Sequence, residues 1–252
     1  MAKATIALLF WGAITGCGGT ETKQGGTADV YGSTVQTYVV LDGGKVVEVG
    51  YTMPQAAAQA ADGQVAGTKD GWHADFPAEA AAQTVVSHLL LDLFHEGLAA
   101  PWNHAFFGTH FYFADQASRL NVTCPEEAVT NLEYVPAQYR VLDICAVTPG
   151  TTCGCVAGEG VHAVDLSAPE VQMPAGEFTH NLRLGFHAGA LAFFEPMITT
   201  AYLAGSASFD SDIRQPATYP PGTSGKLFPM HYSATFADGT WTIALTELMT
   251  IP

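Results

Sequence analysis

GFHAGALAFFEPMITTAYL, residues 185–203, is the apolar stretch on which the predicted fold depends. Its Ala-Gly pair at 188–189 is a turn signal between two β-like segments, residues 178–184 and 191–200. Strands joined by so short a turn pair antiparallel. The apolar run is long enough to belong to the core of the predicted domain.

A carboxylate interrupts this apolar stretch. Glu195 lies between Phe194 and Met197 in the sequence. Burial among such side chains is costly unless a cation, a hydroxyl, a backbone amide or a metal pairs with the carboxylate. Pro196 follows directly, and proline in a sheet indicates an edge, a bend or a strand end. We therefore expect Glu195 at the rim of a β core, facing a pocket.

Two more hairpins are readable on either side of this stretch. Residues 34–50 hold two β-rich runs around an Asp-Gly-Gly turn at 42–44. Near the C-terminus, residues 231–236 and 240–245 alternate around Ala-Asp-Gly at 237–239. Three local hairpins predict an antiparallel β protein.

The segments between these hairpins are less regular. Residues 53–61 predict a short Ala-rich helix, and residues 71–73 are predicted as a loop. Residues 77–83 start like a helix, with proline in the first turn. Residues 84–94 (TVVSHLLLDLF) fit either a continued helix or a strand, and both place polar side chains such as His88 and Asp92 among apolar ones.

Length and composition narrow the fold class. Removing residues 1–16 from the 252 leaves 236, which suits one large domain or two small ones. Charged residues make up only 13% of the chain, while glycine and threonine are common, as in exported β-rich proteins. We expect a mainly β domain over residues 34–252, an antiparallel sandwich or barrel with a few short helices and a disulfide-stapled loop.

The charge balance excludes some partners. The formal net charge is -15, with only nine lysines and arginines. Nucleic acids and anionic lipid surfaces attract basic proteins, so neither is expected as an electrostatic partner. The excess of carboxylates is compatible with cation binding and does not by itself indicate a site.

The N-terminus predicts export. Lys3 precedes a short apolar segment, residues 4–14, which is too short to span a bilayer as a permanent helix. Ile-Thr-Gly before Cys17 resembles the lipobox of bacterial lipoproteins, in which the peptide is cut before the cysteine and the cysteine is lipidated. This predicts a signal peptide over residues 1–16. The alternative is a plain signal peptide cut elsewhere, with Cys17 incidental.

The residues after Cys17 complete this prediction. Residues 18–27 (GGTETKQGGT) are rich in glycine and polar side chains, so residues 17–33 are predicted as a flexible, lipid-anchored tether. Gly18, instead of an acidic residue after the cysteine, indicates sorting to the outer membrane if the cell has two membranes. The expected location is the bacterial cell envelope, with the lipid as membrane partner.

The other four cysteines fit an oxidising compartment. Cys153 and Cys155 flank one glycine and are poorly placed to bond each other. Cys124 and Cys145 are therefore each expected to pair with one of them, in an order that the sequence leaves open. The alternative is a soft-metal site at the Cys-Gly-Cys motif.

Two histidines precede the central hairpin. In residues 101–113 (PWNHAFFGTHFYF), strand alternation places His104 and His110 on one face. They would be about 20 Å apart if fully extended, so a shared metal requires a bulge at Gly108 or a bend near Asn103.

Four pieces of the chain resemble a family of bacterial exported domains of unknown function, represented by a sigma-E-regulated Thermus protein. The pieces are TYVVLDGGKVVEVG; PWNHA followed by HFYF; GVHAVDLSAPE followed by GEFTHNLRLGFHAGALAFFEPMIT; and a Pro-rich stretch that leads to HYSATFADGTWTIAL. The resemblance spans most of the chain after the signal peptide. It implies a mainly β domain and members that oligomerise, so a homo-oligomer is a possible partner state; it implies no known reaction.

The chain departs from this family at one motif. Relatives carry a longer segment ending in HFDFHFY. If His110 is the last histidine of that motif, then Phe106 and Gly108 occupy the positions of its first histidine and its aspartate. His162 matches the family's GxHxxD pattern, together with an aspartate three residues on, and Glu195 matches EPMIT.

These matches define a candidate site. His110, His162 and Glu195 supply two imidazoles and a carboxylate, a common ligand set for zinc, iron or manganese. His104 is a further candidate ligand, and Asp165 is expected to support the ligands from outside the set. The alternative is that the histidines bond Glu195 or backbone carbonyls inside the core, without metal.

Two functions from different classes follow. The first is a non-enzymatic envelope lipoprotein, a binding or structural module of unknown activity. The second is a metal-binding protein or metal-dependent enzyme that uses the His/His/Glu site with a divalent metal such as zinc. A serine or cysteine hydrolase is disfavoured, because the chain has no GxSxG motif and its cysteines are expected to be paired.

Overall fold

The structure, a computed structural model, describes residues 19–62, 70–98, 100–124, 132–141, 155–172 and 177–252. Within them it confirms the predicted fold class. Two antiparallel sheets pack together as a sandwich, with four short helices and a disulfide between Cys124 and Cys155. The predicted signal peptide and Cys17 lie outside the described residues, as do Cys145 and Cys153.

The elements are numbered in the order in which they follow one another along the chain. The strands are β1 (Thr20–Val30), β2 (Ser33–Asp42), β3 (Lys45–Pro54), β4 (Asp70–Asp75), β5 (His88–Phe94), β6 (Phe106–Tyr112), β7 (Tyr139–Val141), β8 (Cys155–Val156), β9 (Gly160–Asp165), β10 (His180–His187), β11 (Ala190–Thr199), β12 (Phe209–Asp212), β13 (Leu227–Phe228), β14 (His231–Ala237), β15 (Thr240–Thr246) and β16 (Met249–Thr250). The helices are α1 (Gln55–Asp62), α2 (Ala78–Gln83), α3 (Gln116–Arg119) and α4 (Thr200–Ala204). In the described part of the chain, no helix has the length and apolar character needed to cross a membrane.

Two sheets hold nearly all of these strands. The first has the order β1-β2-β3-β15-β14-β12, and the second has the order β4-β5-β6-β11-β10-β9-β7, with β8 paired to β9. The three predicted hairpins are confirmed as β2–β3, β10–β11 and β14–β15. The turn residues Asp238 and Gly239 both have positive φ, which suits the right-handed twist of a tight hairpin.

The two sheets differ in how they are buried. In the first sheet, buried and exposed positions alternate along much of β2 and β3, so one face contacts the core and the other contacts water. In the second sheet, every residue of β6 and β9 is buried. Such a sheet is covered on both faces, and side chains on either face are removed from water.

The outer face of the second sheet is covered by connecting segments. Phe106, Met197 and Val164 point to this face and form a cluster with Trp102 and Phe178, which lie outside the strands. The inner face packs against the first sheet in the main core. Polar side chains on the outer face of β5, β6, β9 and β11 are therefore enclosed between the sheet and its connections.

Strand pairing decides two of the predictions made for the segments between the hairpins. Residues 88–94 form β5, which lies between β4 and β6, so the strand alternative is correct from His88 onward. The loop predicted at residues 71–73 is wrong, because these residues belong to β4 and pair with β5. The predicted helices are confirmed as α1 and α2.

The predicted flexible tether is wrong over residues 20–30. These residues form β1, which pairs with β2 along nearly its whole length. An edge strand needs no continuous apolar face. The polar composition of β1 therefore resembles that of a linker. Its glycines also have a packing role: a Cβ at Gly25 would lie 2.4 Å from the Thr37 hydroxyl oxygen.

The prediction that Pro196 marks an edge or strand end is also wrong. β11 lies in the middle of the second sheet, paired with β10 on one side and β6 on the other. The β6 ladder has paired positions at Phe194 and Met197, and none at the two residues between them. The missing N–H of Pro196 is accommodated in this gap, so Glu195 is deep in the fold and only 1% exposed.

Candidate functional site

The three residues predicted from the sequence as metal ligands converge. His110 on β6, His162 on β9 and Glu195 on β11 each place a ligand atom within 4.8 Å of the other two. Strand alternation turns all three side chains to the outer face of the second sheet. The register explains the meeting point, because β11 is a direct neighbour of β6 and is separated from β9 only by β10.

Glu159 joins this group, although the sequence analysis did not identify it. Its Oε2 lies 3.5 Å from His162 Nε2 and 3.7 Å from His110 Nε2. It occupies the turn between β8 and β9, flanked by Gly158 and Gly160, which both have positive φ. In the sequence, Glu159 is three residues before His162. This spacing alone does not predict the turn that brings the two side chains together.

The carboxylates belong to two overlapping groups that share His110, namely His110 with His162 and Glu195, and Asp92 with His110 and Glu159. Glu195 places Oε1 3.8 Å from His110 Nε2 and Oε2 3.6 Å from His162 Nε2. A tetrahedral zinc ion with N and O ligands at about 2.0–2.1 Å spaces those ligands about 3.3 Å apart. The observed separations are a few tenths of an ångström wider, so a small inward movement suffices to enclose an ion.

The cluster is closed off from water. His110, His162 and Glu195 are each at most 2% exposed, and Glu159 is 5% exposed. Phe193 forms one wall, with ring centroids 4.9 Å from His110 and 5.1 Å from His162. Electrostatic interactions are stronger in such an apolar enclosure than in water.

Asp92 is a further carboxylate beside His110, and it forms a second group of close ligand atoms with His110 and Glu159. Its Oδ2 is 3.7 Å from Nδ1, the ring nitrogen that does not face the two glutamates. A carboxylate at this nitrogen favours a proton there, which leaves the Nε2 lone pair free to bind a metal. Asp92 therefore has the supporting position that the sequence analysis expected for Asp165.

Two glycines make room for these carboxylates. A Cβ at Gly108 would lie 2.7 Å from Glu195 Oε1, and a Cβ at Gly71 would lie 2.8 Å from Asp92 Oδ1. Gly108 was predicted to mark the loss of a family carboxylate. In the structure its missing side chain is the space that the Glu195 carboxylate occupies.

Arg183 is the nearest cationic neighbour of Glu195 in the sheet. The two residues are registered partners on β10 and β11, and Arg183 is 4% exposed. Its guanidinium carbon lies 4.6 Å from the centre of the Trp102 ring. Burial lowers the pKa of Arg183, and the charge of Glu195 acts in the opposite direction. A second buried arginine, Arg119, donates to the carbonyl of Gly158, the residue before Glu159.

Two predicted site residues lie elsewhere. His104 precedes β6, which begins at Phe106, so the strand alternation that was expected to align it with His110 does not extend to it. Among the described residues, the convergent ligand groups do not include it.

The predicted role of Asp165 is also corrected. It is an odd-numbered residue of β9, so its side chain leaves the sheet on the face opposite to His162. It accepts hydrogen bonds from Ser167 and Arg214 and lines a separate cavity of about 570 Å³. Burial acts to raise the pKa of Asp165, but these hydrogen bonds outweigh it and the pKa is lowered.

One of the two predicted disulfides lies within the described residues. Cys124 bonds Cys155, one of the pairings that the sequence left open. The alternative of a thiolate metal site at the Cys-Gly-Cys motif is wrong for Cys155, because its sulfur is in the disulfide. Cys145 and Cys153 lie outside the described residues.

Comparisons with known proteins add no assignment. No family model matches the chain, and no curated protein or solved structure matches it. The resemblance to the exported family therefore stays a prediction, and the functional argument rests on the site itself.

Proposed function

We propose that this protein binds one divalent first-row transition metal ion, with zinc as the reference case. The ligands are His110, His162, Glu195 and Glu159. The observation that carries the proposal is the convergence of these four buried side chains, with nitrogen-to-oxygen separations of 3.5–3.8 Å. Neutral imidazole and carboxylate are ligands that zinc, iron and manganese accept.

Charge supports a cation at this place. Two neutral histidines and two glutamates carry two negative charges, and Asp92 adds a third close by. Burying carboxylates without compensation is strongly unfavourable. The buried Arg183 and Arg119 offset part of this charge, and a divalent ion would add further positive charge. Protonation of both histidines would add the same positive charge without metal, which is the alternative that an experiment must exclude.

The number of ligands favours binding over catalysis. Structural zinc sites have four protein ligands, whereas catalytic zinc sites keep one position for water or substrate. Glu159, at 3.5 Å from His162 Nε2 and 3.7 Å from His110 Nε2, would take the fourth position of a tetrahedral ion held by the other three ligands. A metal-binding protein therefore fits this site better than a hydrolytic enzyme does.

The proposed setting is the bacterial cell envelope, with a lipid on Cys17 as the anchor. Support comes from the sequence, in which Lys3 and an apolar segment precede a lipobox-like motif. The Cys124–Cys155 disulfide is also in keeping with an oxidising compartment.

The test is elemental analysis of the mature chain, residues 17–252, purified without a histidine tag and equilibrated with zinc. We expect about one zinc ion per chain for the wild type. His162→Ala and Glu195→Gln should lose it, whereas His187→Ala, at the distant end of β10, should retain it. Metal-free wild-type protein that still folds would overturn the proposal and favour the protonated cluster.

A further inference from the structure

We infer that the Cys124–Cys155 disulfide controls the metal site by holding Glu159 in place. This inference rests on the proposed function. Oxidised protein has four ligands in position, and reduction releases one of them. The site is thus an exchangeable one that becomes tight only after the disulfide has formed.

The four ligands differ in how firmly the fold holds them. His110 and Glu195 lie on strands of seven and ten residues with a paired strand on both sides. His162 lies on β9, which pairs with β10 on one side and with β7 and β8 on the other. Glu159 alone of the four lies in a turn, next to the two-residue strand β8.

The turn is anchored to the segment that ends at Cys124, as well as to β9 through β8 and to β6 through Tyr112 Oη, which donates to the Glu159 carbonyl at 3.4 Å. Cys155 is four residues before Glu159 and is bonded to Cys124. The Gly158 N–H donates to the Val122 carbonyl at 2.9 Å, and Arg119 Nη1 donates to the Gly158 carbonyl at 2.6 Å. The disulfide is the covalent part of this anchor.

The local backbone makes the anchor necessary. Gly158 has φ of 74° and Gly160 has φ of 116°, so Glu159 is flanked on both sides by residues of high conformational freedom. A carboxylate on such a turn has several accessible positions. Those that leave the cluster expose it to water, which is favourable for a charged group.

The controlling reaction is thiol–disulfide exchange with a dithiol reductant. Two electrons and two protons pass from the dithiol to the Cys124–Cys155 bond, which gives two cysteine thiols and the oxidised reductant. The exchange changes no covalent bond within the ligand side chains. The turn loses its covalent anchor. Glu159 then leaves the cluster, and three protein ligands remain.

The consequence is that export and metal loading are coupled. A chain with reduced cysteines binds zinc weakly, and the same chain binds tightly once oxidised. The loss of one positioned group at a metal site typically costs about 10–100-fold in affinity. We expect a reduction of this size when the disulfide is removed.

The test is a double-mutant cycle on zinc affinity, measured by competition with a chromogenic chelator. The variants are C124S/C155S, E159Q and the combination of all three changes. Serine avoids new thiols that bind zinc themselves. If the disulfide acts through Glu159, C124S/C155S weakens binding about 10–100-fold in the wild-type background and has almost no effect in E159Q.

The outcomes separate the two proposals. Oxidised wild-type protein that binds no zinc defeats the proposed function. Wild-type binding that is unchanged in C124S/C155S, or that falls equally in both backgrounds, defeats the present inference and leaves the proposed function standing. If C124S/C155S fails to fold, C145S/C153S protein is reduced and alkylated after folding, since this opens only the Cys124–Cys155 bond.

Discussion

At the scale of single residues, the site depends on side chains that the sequence patterns did not identify as ligands. Glu159 and Asp92 surround His110 together with Glu195. Gly108 contributes by having no side chain. Each of these roles follows from packing on the outer face of the second sheet, and each can be tested by one substitution.

The first substitution exchanges the carboxylate behind His110. In Asp92→Asn the favoured proton position on His110 is lost, so Nε2 is less available to the metal. We expect zinc affinity to fall about 10–100-fold, measured by chelator competition. Asp165→Asn is the matched control, because Asp165 contacts Arg214 and should leave zinc affinity unchanged. Equal effects of the two variants would contradict the assignment.

The second substitution fills the space beside Glu195. In Gly108→Ala the new Cβ would lie 2.7 Å from Oε1, which is too close for both atoms to keep their positions. The carboxylate must move, and we expect zinc affinity to fall at least about 10-fold. Gly19→Ala, where a Cβ meets no atom within 4 Å, should bind zinc as the wild type does. Unchanged affinity in Gly108→Ala would show that Glu195 is not a ligand.

At the scale of elements, the edges of the first sheet carry two testable features. β1 closes one edge with a polar strand, and β12 closes the other. Edge strands need fewer apolar side chains than central ones, so their sequences are the least distinctive. The tether prediction, which is wrong over residues 20–30, is an example of this.

Removal of β1 tests whether it belongs to the folded domain. A chain starting at Tyr31 lacks the strand that pairs with β2 and that also contacts β4. We expect its melting temperature to fall by at least about 5 °C relative to a chain starting at Cys17. A true tether would be removed without any change, so equal melting temperatures in calorimetry would restore the original prediction.

A histidine next to the β12 edge strand leads us to expect that the free energy of unfolding depends on pH. His231 on β14 pairs with Asp210, with Nδ1 to Oδ1 at 2.8 Å, and its Nε2 faces Asp212 and Glu247. The hydrogen bond with Asp210 is the main cause that raises the pKa of His231, and the nearby carboxylates add to it. A raised folded-state pKa stabilises the fold below the unfolded value of about 6.5. The contribution is lost as the pH rises through the folded-state pKa.

Denaturant unfolding of the wild type and His231→Asn checks this. The difference in unfolding free energy should be larger at pH 5.5 than at pH 8.5. In Asp210→Asn, an NMR titration should show a lower pKa for His231. A difference that is the same at both pH values would count against a protonated His231 in the folded protein.

At the scale of the whole molecule, local signals were sufficient for the fold class. Turn residues at 42–44, 188–189 and 237–239 each join two strands with little intervening chain, so the hairpins follow from neighbouring residues alone. The pairing of β3 with β15 and of β6 with β11 brings together strands far apart in sequence. Such contacts depend on the complementarity of whole faces.

The site shows the same division between local sequence signals and contacts that depend on the whole fold. The sequence by itself determined that Glu195 interrupts an apolar stretch and needs a partner, and the resemblance to the exported family pointed to His110 and His162 as its candidate partners. Only the tertiary structure decided that Pro196 sits mid-sheet and that Glu159 and Asp92 complete the cluster. The physical reason is that β11 runs between β6 and β10 in a sheet buried on both faces. This arrangement results from packing across the molecule, and no local pattern of residues specifies it.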